Sequence, residues 1–246
     1  MKSKEYQKLY QNIKEKAPLE GGVQMLVYMF LFEIIKDTNY QLLVIDRMGK
    51  KTQFVTPVGI SDLAIVSDEF RFSEEHKNNI ISYVEIKGIN INIYDFEEQI
   101  KGQLLSCGRI LCTNGNSWKY YDIEKYIKHN LRNDIDYIWG KNEYEEIRKV
   151  IYSLELIERD LAIKKSSYAH TKKNQYRVTY EKEINELNEQ KVEIHGKLEE
   201  SLLNFSWLQD IIDNPIIDRK LFDNDSFDVI EYMKLKSELY DVISTW

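Results

Sequence analysis

Three charged residues stand inside two apolar stretches of the sequence: Asp62 in GISDLAIV, and Glu85 and Lys87 in ISYVEIKG. Both stretches predict buried strands, and alternate side chains of a strand point to the same side. Glu85 and Lys87 should therefore share one face, with Val84 and Ile86 on the other. Two carboxylates and a lysine on neighbouring buried strands suit the metal-dependent hydrolysis of a phosphodiester bond.

Carboxylate oxygens bind hard divalent cations, and Mg²⁺ (or Mn²⁺) keeps several waters and accepts the phosphate oxygens of a substrate. Asp62 and Glu85 are the predicted metal ligands, with the backbone carbonyl of Ile86 as a third oxygen. Lys87 is predicted to orient the attacking water or to stabilise negative charge in the transition state. The Glu-x-Lys pattern is also common as a surface ion pair on an edge strand, so that alternative stays open at this point.

The composition is that of a folded protein rather than a disordered one, because 43% of the 246 residues are hydrophobic and 30% are charged. The net charge of −7 disfavours avid non-specific binding to DNA without excluding a local DNA contact. The most apolar run, 23–35, is too short to span a membrane, and no signal peptide is evident. No Walker-type glycine loop occurs. We expect a cytoplasmic protein with no membrane partner and no nucleotide cofactor.

Alternating helices and strands must position the charged residues. The apolar run after Glu20 predicts a buried helix over about 21 to 36, and YQLLVIDRM predicts a strand. KTQFVTPV predicts the next strand, interrupted by Pro57 and Gly59 before GISDLAIV. A helix is expected over 96 to 105, and RILCTNGNSWKYYDI predicts two strands joined at an Asn-Gly turn. This order predicts an α/β core over residues 1–140.

The second half of the chain predicts helices. Between 144 and 203 there is no proline, and two heptad runs predict an antiparallel helical hairpin or coiled coil over 141–204. Lys191 takes a position in the second seam that is otherwise apolar. The remainder, 205–246, predicts a C-terminal helical segment with an amphipathic helix over about 226 to 243. The seams suit packing within one chain, and a homodimer through them is the alternative.

The connection between the two heptad runs is the most basic stretch of the chain. Its cations are interleaved with Tyr168 and Tyr176, a combination that can grip a phosphate backbone and stack on bases. The same composition is also typical of a solvated turn. The candidate DNA-binding residues are Lys164, Lys165, Lys172, Lys173 and Arg177.

The segments SDLAIV and YVEIKG resemble the motif of the PD-(D/E)XK nuclease superfamily, with Ser61 in place of the proline that names it. The resemblance is closest to the N-terminal nuclease domain of type I restriction motor subunits. There an acidic residue opens the first helix, as Glu20 does here, and a glutamine-bearing helix follows the Glu-x-Lys strand. A strand ending in Thr-Asn-Gly and an aromatic strand come next, as in EEQIKGQLLSCGRILCTNGNSWKYYDI. The resemblance covers about residues 18 to 125.

This resemblance implies a restriction-endonuclease-like core, αβββαβ with a mixed sheet, in which Asp62 and Glu85 bind Mg²⁺ and Lys87 is catalytic. Glu20 and a helix glutamine would support them. Gln103 is the preferred match and Gln99 the alternative, although Cys107 stands where the family has a tyrosine. The expected function is a metal-dependent DNA endonuclease in restriction-like defence or mobile-element processing. The alternative is a catalytically silent interaction protein, an inhibitor or assembly factor, that acts through its coiled coil.

Overall fold

The computed structural model of the chain describes residues 1–16, 18–45, 54–71, 79–130, 134–171, 174–203, 207–223 and 225–246. Within these ranges the helices are α1 Ser3–Lys16, α2 Glu20–Ile35, α3 Glu97–Cys107, α4 Ile123–Asn130, α5 Asp134–His170, α6 Asn174–Leu203, α7 Trp207–Asp213 and α8 Val229–Ile243. A short 3₁₀ helix, Ile93–Phe96, precedes α3. The strands are β1 Tyr40–Val44, β2 Leu63–Ser67, β3 Ile80–Ile86, β4 Arg109–Thr113, β5 Ser117–Asp122, β6 Ile217–Lys220, β7 Phe222–Asp223 and β8 Ser226–Phe227.

A six-stranded sheet forms the centre of the fold, with its strands in the order β1-β2-β3-β4-β5-β6. Strand β3 runs parallel to β4, and the other neighbouring pairs are antiparallel. Helix α3 provides the crossover connection that a parallel pair requires. Both faces of the central strands are covered, which explains why β2 and β3 are almost continuously apolar.

Two hydrophobic cores lie on the two faces of the sheet. Val84 and Ile86 of β3 belong to the core that contains α1, α2 and α8. Tyr83 of β3 and Cys112 of β4 belong to the other core, with α3, α5 and α7. Because strand side chains alternate, Glu85 must point to the α3 side of the sheet.

The predicted α/β class is confirmed, and α2 occupies the run predicted to be a buried helix. The strand predicted for KTQFVTPV is wrong over its described residues, 54–58. The backbone there forms a tight turn in which Thr56 and Gly59 form an isolated bridge. Pro57 has no N–H to donate to a sheet ladder, and Gly59 has a φ of 117°, which glycine adopts most readily. Residues 51–53 lie outside the described part of the chain.

The predicted helical hairpin is confirmed as α5 and α6. Lys164 pairs with Glu183 at 2.6 Å and Lys191 pairs with Glu158, so residues later in α6 meet residues earlier in α5. The two helices are therefore antiparallel. The polar seam position noted in the sequence, Lys191, is satisfied by this ion pair with the facing helix.

The last forty residues build part of the central fold. Strand β6 pairs with β5 and closes that edge of the sheet. Helix α8, capped by the Asp228 carboxylate, packs its apolar side into the same core as α2. None of the helices in the described part of the chain has both the length and the apolar character needed to cross a bilayer.

Candidate functional site

Asp62 is the residue before β2, and its side chain contacts the backbone of the neighbouring strand β3. Its Oδ2 atom accepts a hydrogen bond of 2.7 Å from the backbone N–H of Ile86. The next N–H, that of Lys87, points the other way and donates to the Thr113 carbonyl of β4 at 2.9 Å. Since the N–H and C=O of an extended residue face the same neighbouring strand, the carbonyl of Ile86 is directed toward the Asp62 side of β3.

Glu85 lies at the centre of a buried hydrogen-bond network and is only 4% exposed. Its Oε1 atom accepts from Lys87 Nζ at 2.6 Å and from Gln99 Nε2 at 2.7 Å. Its Oε2 atom accepts from Gln103 Nε2 at 2.7 Å. Gln99 and Gln103 are four residues apart on α3, and this spacing puts them on one helix face. Both glutamines that the resemblance offered as alternatives therefore contact Glu85.

Lys87 shares the face of Glu85, as strand alternation predicts, and is 8% exposed. Its ammonium also donates to Gln99 Oε1 at 2.9 Å. The ring of Phe96 lies 4.2 Å from Nζ, a cation–π contact. A buried ammonium requires such compensation, and these three groups hold it in one position.

Burial raises the pKa of Asp62 to about 7, from an ordinary value of 3.8, and the negative charges of Glu85 and Glu20 contribute to the rise. The hydrogen bond from Ile86 N–H and the charge of Lys87 act in the opposite direction. Glu20, the exposed first residue of α2, lies at the same end of the sheet. Its backbone nitrogen is close to Gly88, the residue that follows Lys87: a Cβ atom placed on Gly88 would be 3.9 Å from the Glu20 nitrogen. Three acids thus concentrate negative charge at this place.

The oxygen atoms present fit a divalent cation that keeps part of its water shell. Asp62 Oδ2 accepts the hydrogen bond from Ile86 N–H, while within the described residues no donor contacts Oδ1. Burial raises the pKa of Asp62, and the negative charges of Glu85 and Glu20 raise it further; a bound cation would offset both effects. Among the described residues no three His, Cys, Asp or Glu side chains form a metal cage. Asp62 and Glu85 are thus a pair of carboxylates, supplemented by the carbonyl of Ile86.

Two polar atoms beside the acids lack hydrogen-bond partners within the described chain. They are Oε1 of Gln103, whose Nε2 atom is held by Glu85, and Oγ of Ser61, next to Asp62. A buried polar group without a partner costs about 1–3 kcal/mol. The place where the acids meet therefore still has unused hydrogen-bonding capacity.

Sequence reasoning missed two residues of this region. The sequence predicts Phe96 only as the start of a helix, whereas in the structure its ring covers the ammonium of Lys87. Lys119 of β5 is buried and lies opposite Cys112, which in turn lies opposite Glu85. The alternation in WKYYD, with Lys119 and Tyr121 on one side, was the signal that could have identified it.

The described cations of the hairpin connection, Lys164, Lys165 and Arg177, lie on α5 and α6 beyond the part of α5 that packs on the sheet. Lys164 pairs with Glu183, Arg177 lies 5.2 Å from the ring of Tyr168, and Lys165 is exposed. Lys172 and Lys173 lie outside the described residues. Helix α5 ends 16 residues beyond Leu154, its contact with the α3 core, which is about 24 Å of helix. Within the described residues, Lys164, Lys165 and Arg177 make no contact with Asp62, Glu85 or Lys87.

No family model, no curated protein and no solved structure matches the chain. The chemistry of the site therefore has to be inferred from its own residues.

Proposed function

We propose that the chain is a metal-dependent DNA endonuclease with a restriction-endonuclease-like core, acting in restriction-like defence or in the processing of mobile-element DNA. The observation that carries the proposal is the meeting of Asp62, Glu85 and Lys87 at one end of two adjacent buried strands. Such a set of charges is costly to bury, and it combines the residue types that phosphodiester hydrolysis requires.

Asp62 and Glu85, with the carbonyl of Ile86, would hold Mg²⁺ or Mn²⁺. When bound, the cation supplies Lewis-acid activation of the scissile phosphate and of a water molecule. Glu85 is fixed in place for this role by Gln103 and Gln99, which donate to its two oxygens. Asp62 is fixed by Ile86 N–H, which donates to one carboxylate oxygen and leaves the other to bind the cation.

Lys87 provides the positive charge of the site. Glu85, Gln99 and the ring of Phe96 hold its ammonium group before substrate arrives. A pre-positioned ammonium can donate to the attacking water or to a phosphate oxygen as negative charge develops in the transition state. Its low exposure strengthens that interaction, because little water is present to screen it.

A catalytically silent interaction protein is the second candidate, and the closed network around Glu85 favours it. Both oxygens of Glu85 already have donors from Lys87, Gln99 and Gln103. A network in which every Glu85 oxygen has donors can have a purely structural role, which is to hold α3 against the sheet. In that case the long hairpin of α5 and α6 would be the interaction surface.

Cleavage assays separate the two candidates. Purified protein is incubated with plasmid, single-stranded and branched DNA in Mg²⁺ or Mn²⁺, with EDTA as the metal-free control. Glu85→Gln keeps the shape of the side chain and removes its charge, and Lys234→Met on α8 is a surface control. We expect metal-dependent cleavage that Glu85→Gln abolishes and Lys234→Met preserves. Absence of cleavage on all three substrates, or cleavage by Glu85→Gln at the wild-type rate, contradicts the proposal.

A further inference from the structure

A second buried lysine lies in the same row of the sheet as Glu85. Glu85 is the register partner of Cys112, and Cys112 is the register partner of Lys119. Register partners point to the same face, so Lys119 lies on the α3 side, two strands from Glu85, or about 10 Å along the sheet. Burial and the charge of Glu85 raise the pKa of the Cys112 thiol, while Lys87 and Lys119 lower it, so both ammonium groups act on the residue between them.

The ammonium of Lys119 is incompletely compensated. The residue is 4% exposed, and its Nζ atom lies 3.4 Å from Asp218 Oδ2, whose side chain is 51% exposed. Its other contact is the ring of Tyr94, with the centroid 3.7 Å from Nζ. An ion pair with so exposed a partner is weak. The positive charge of Lys119 is therefore only partly balanced, and a second anion can reach it from the side where the exposed Asp218 carboxylate lies.

One short segment covers both buried lysines with aromatic rings. Phe96 lies over Lys87 and Tyr94 lies over Lys119, both from the 3₁₀ helix that precedes α3. The segment is tied to the β4–β5 turn by a hydrogen bond of 2.9 Å from Asn114 Nδ2 to the Ile91 carbonyl. Tyr94 is 62% exposed, so the outer face of its ring is open to solvent.

We propose that Tyr94 and Lys119 form a DNA-contact subsite beside the cleavage centre, which takes an unpaired nucleotide flanking the scissile phosphate. An exposed aromatic ring stacks on an unpaired base, and a cation beneath it neutralises a neighbouring phosphate. Asp218 holds Lys119 while DNA is absent and competes with the phosphate when DNA binds. The subsite rests on the proposed nuclease function and adds a preference for single-stranded or locally unpaired DNA.

Binding without cleavage tests the subsite. Fluorescence anisotropy in EDTA gives the Kd of a labelled single-stranded oligonucleotide and of its duplex. We expect Tyr94→Ala and Lys119→Met each to weaken single-strand binding about tenfold. The slope of log affinity against log salt should fall by about 0.7 in Lys119→Met. Lys234→Met, an ion-paired lysine of α8, should bind as the wild type does.

Asp218→Asn distinguishes a DNA contact from a structural ion pair. The subsite predicts that loss of the competing carboxylate tightens single-strand binding, whereas a purely structural pair predicts that Asp218→Asn and Lys119→Met weaken it alike. Circular dichroism checks the fold of each variant, and the exposed Tyr94 and Asp218 variants suffice if Lys119→Met does not fold. Wild-type affinity in Tyr94→Ala, weaker binding in Asp218→Asn, or a wild type that binds duplex as tightly as the single strand overturns the subsite.

The same experiment separates failure of the subsite from failure of the nuclease function. Single-strand binding that depends on Tyr94 and Lys119, in a protein that cleaves nothing in Mg²⁺, overturns the nuclease function alone. Cleavage by the wild type with unchanged affinity in both variants overturns the subsite alone. A wild type that binds no DNA in EDTA and cleaves none in Mg²⁺ overturns both.

Discussion

The backbone N–H of Ile86 donates a 2.7 Å hydrogen bond to the carboxylate of Asp62, across the junction of β2 and β3. Regular pairing of the two strands ends near this point, since the last registered pair on this side is Leu63 with Val84. The Asp62 side chain thus takes the place of a strand carbonyl. It also brings a negative charge to the residue between Glu85 and Lys87.

The charge on Asp62 should make stability depend on pH. Its pKa is about 7 in the folded protein against an ordinary 3.8, so the unfolded chain loses this proton first as pH rises. The contribution of Asp62 to folding is therefore most favourable below pH 4, declines between about pH 4 and 7, and is lowest above pH 7. Relative to the wild type, Asp62→Asn should gain about 3 kcal/mol more unfolding free energy at pH 8 than at pH 4.5, because each pH unit over which only the unfolded chain is ionised costs about 1.4 kcal/mol.

Urea denaturation at the two pH values measures this difference. Asp37→Asn, at an exposed position after α2, is the matched control and should show a much smaller change with pH. If Asp62→Asn changes the unfolding free energy equally at both pH values, the Asp62 carboxylate does not have a raised pKa in the folded protein.

A divalent cation should stabilise the folded protein through the same carboxylates. Ligand that binds only the native state raises the melting temperature by mass action. We expect Mn²⁺ at pH 8 to raise the Tm of the wild type by several degrees and to leave Asp62→Asn and Glu85→Gln almost unchanged. Glu20→Gln should retain most of the shift, because Glu20 is exposed and acts on Asp62 through its charge. A full shift in Asp62→Asn would remove Asp62 from the ligands.

Gln103 and Gln99 should differ in what they contribute. Gln103 is fully buried and donates to Glu85 Oε2, so Gln103→Leu removes a hydrogen bond to a charged group, worth about 2 kcal/mol of unfolding free energy. Gln99 is half-buried and bridges Glu85 and Lys87, so Gln99→Leu should cost less stability and impair cleavage by loosening Lys87. Chemical denaturation and cleavage rates on the same two variants test this division. Equal stability losses would contradict it.

Residue 102 lies between the two glutamines of α3, and the turn at 54–59 packs so closely against it that only glycine fits. A Cβ at this position would overlap Cγ1 of Val58, whereas a Cβ at Gly196 of α6 would meet nothing within 4 Å. Alanine favours a helix over glycine by about 1 kcal/mol. Gly196→Ala should therefore raise the unfolding free energy by about that amount. Gly102→Ala should lower it, since Val58 must move, and thermal denaturation of both variants decides the question.

The central strands could be predicted because local pattern determined them. Buried runs such as ISYVEIKG need no partner information, and alternation alone puts Glu85 and Lys87 on one face. The convergence of Gln99 and Gln103 on Glu85 follows from their helical spacing once α3 is placed over β3. Which of them makes contact depends on that placement, so the sequence left it open.

Long-range packing explains what the sequence did not predict. Strand β6 pairs with β5 across almost one hundred residues, and IDRK has no pattern that predicts a sheet edge. The run containing Pro57 resembled a strand by its β-branched residues, but the proline and the left-handed Gly59 produce a turn instead. Lys119 was overlooked because its importance lies in the row it shares with Glu85, and strand order alone creates that row.

The single-turnover cleavage rate of Lys87→Met at saturating Mg²⁺ tests the catalytic role of the cluster most directly. Methionine keeps most of the length and the apolar character of the lysine stem, removes the ammonium that lies over Phe96, and leaves the carboxylates in place. We expect the variant to retain the Mn²⁺-dependent rise in Tm and to cleave about 100-fold more slowly than the wild type or Lys234→Met. A Lys87→Met protein that cleaves DNA at the wild-type rate would contradict the mechanism.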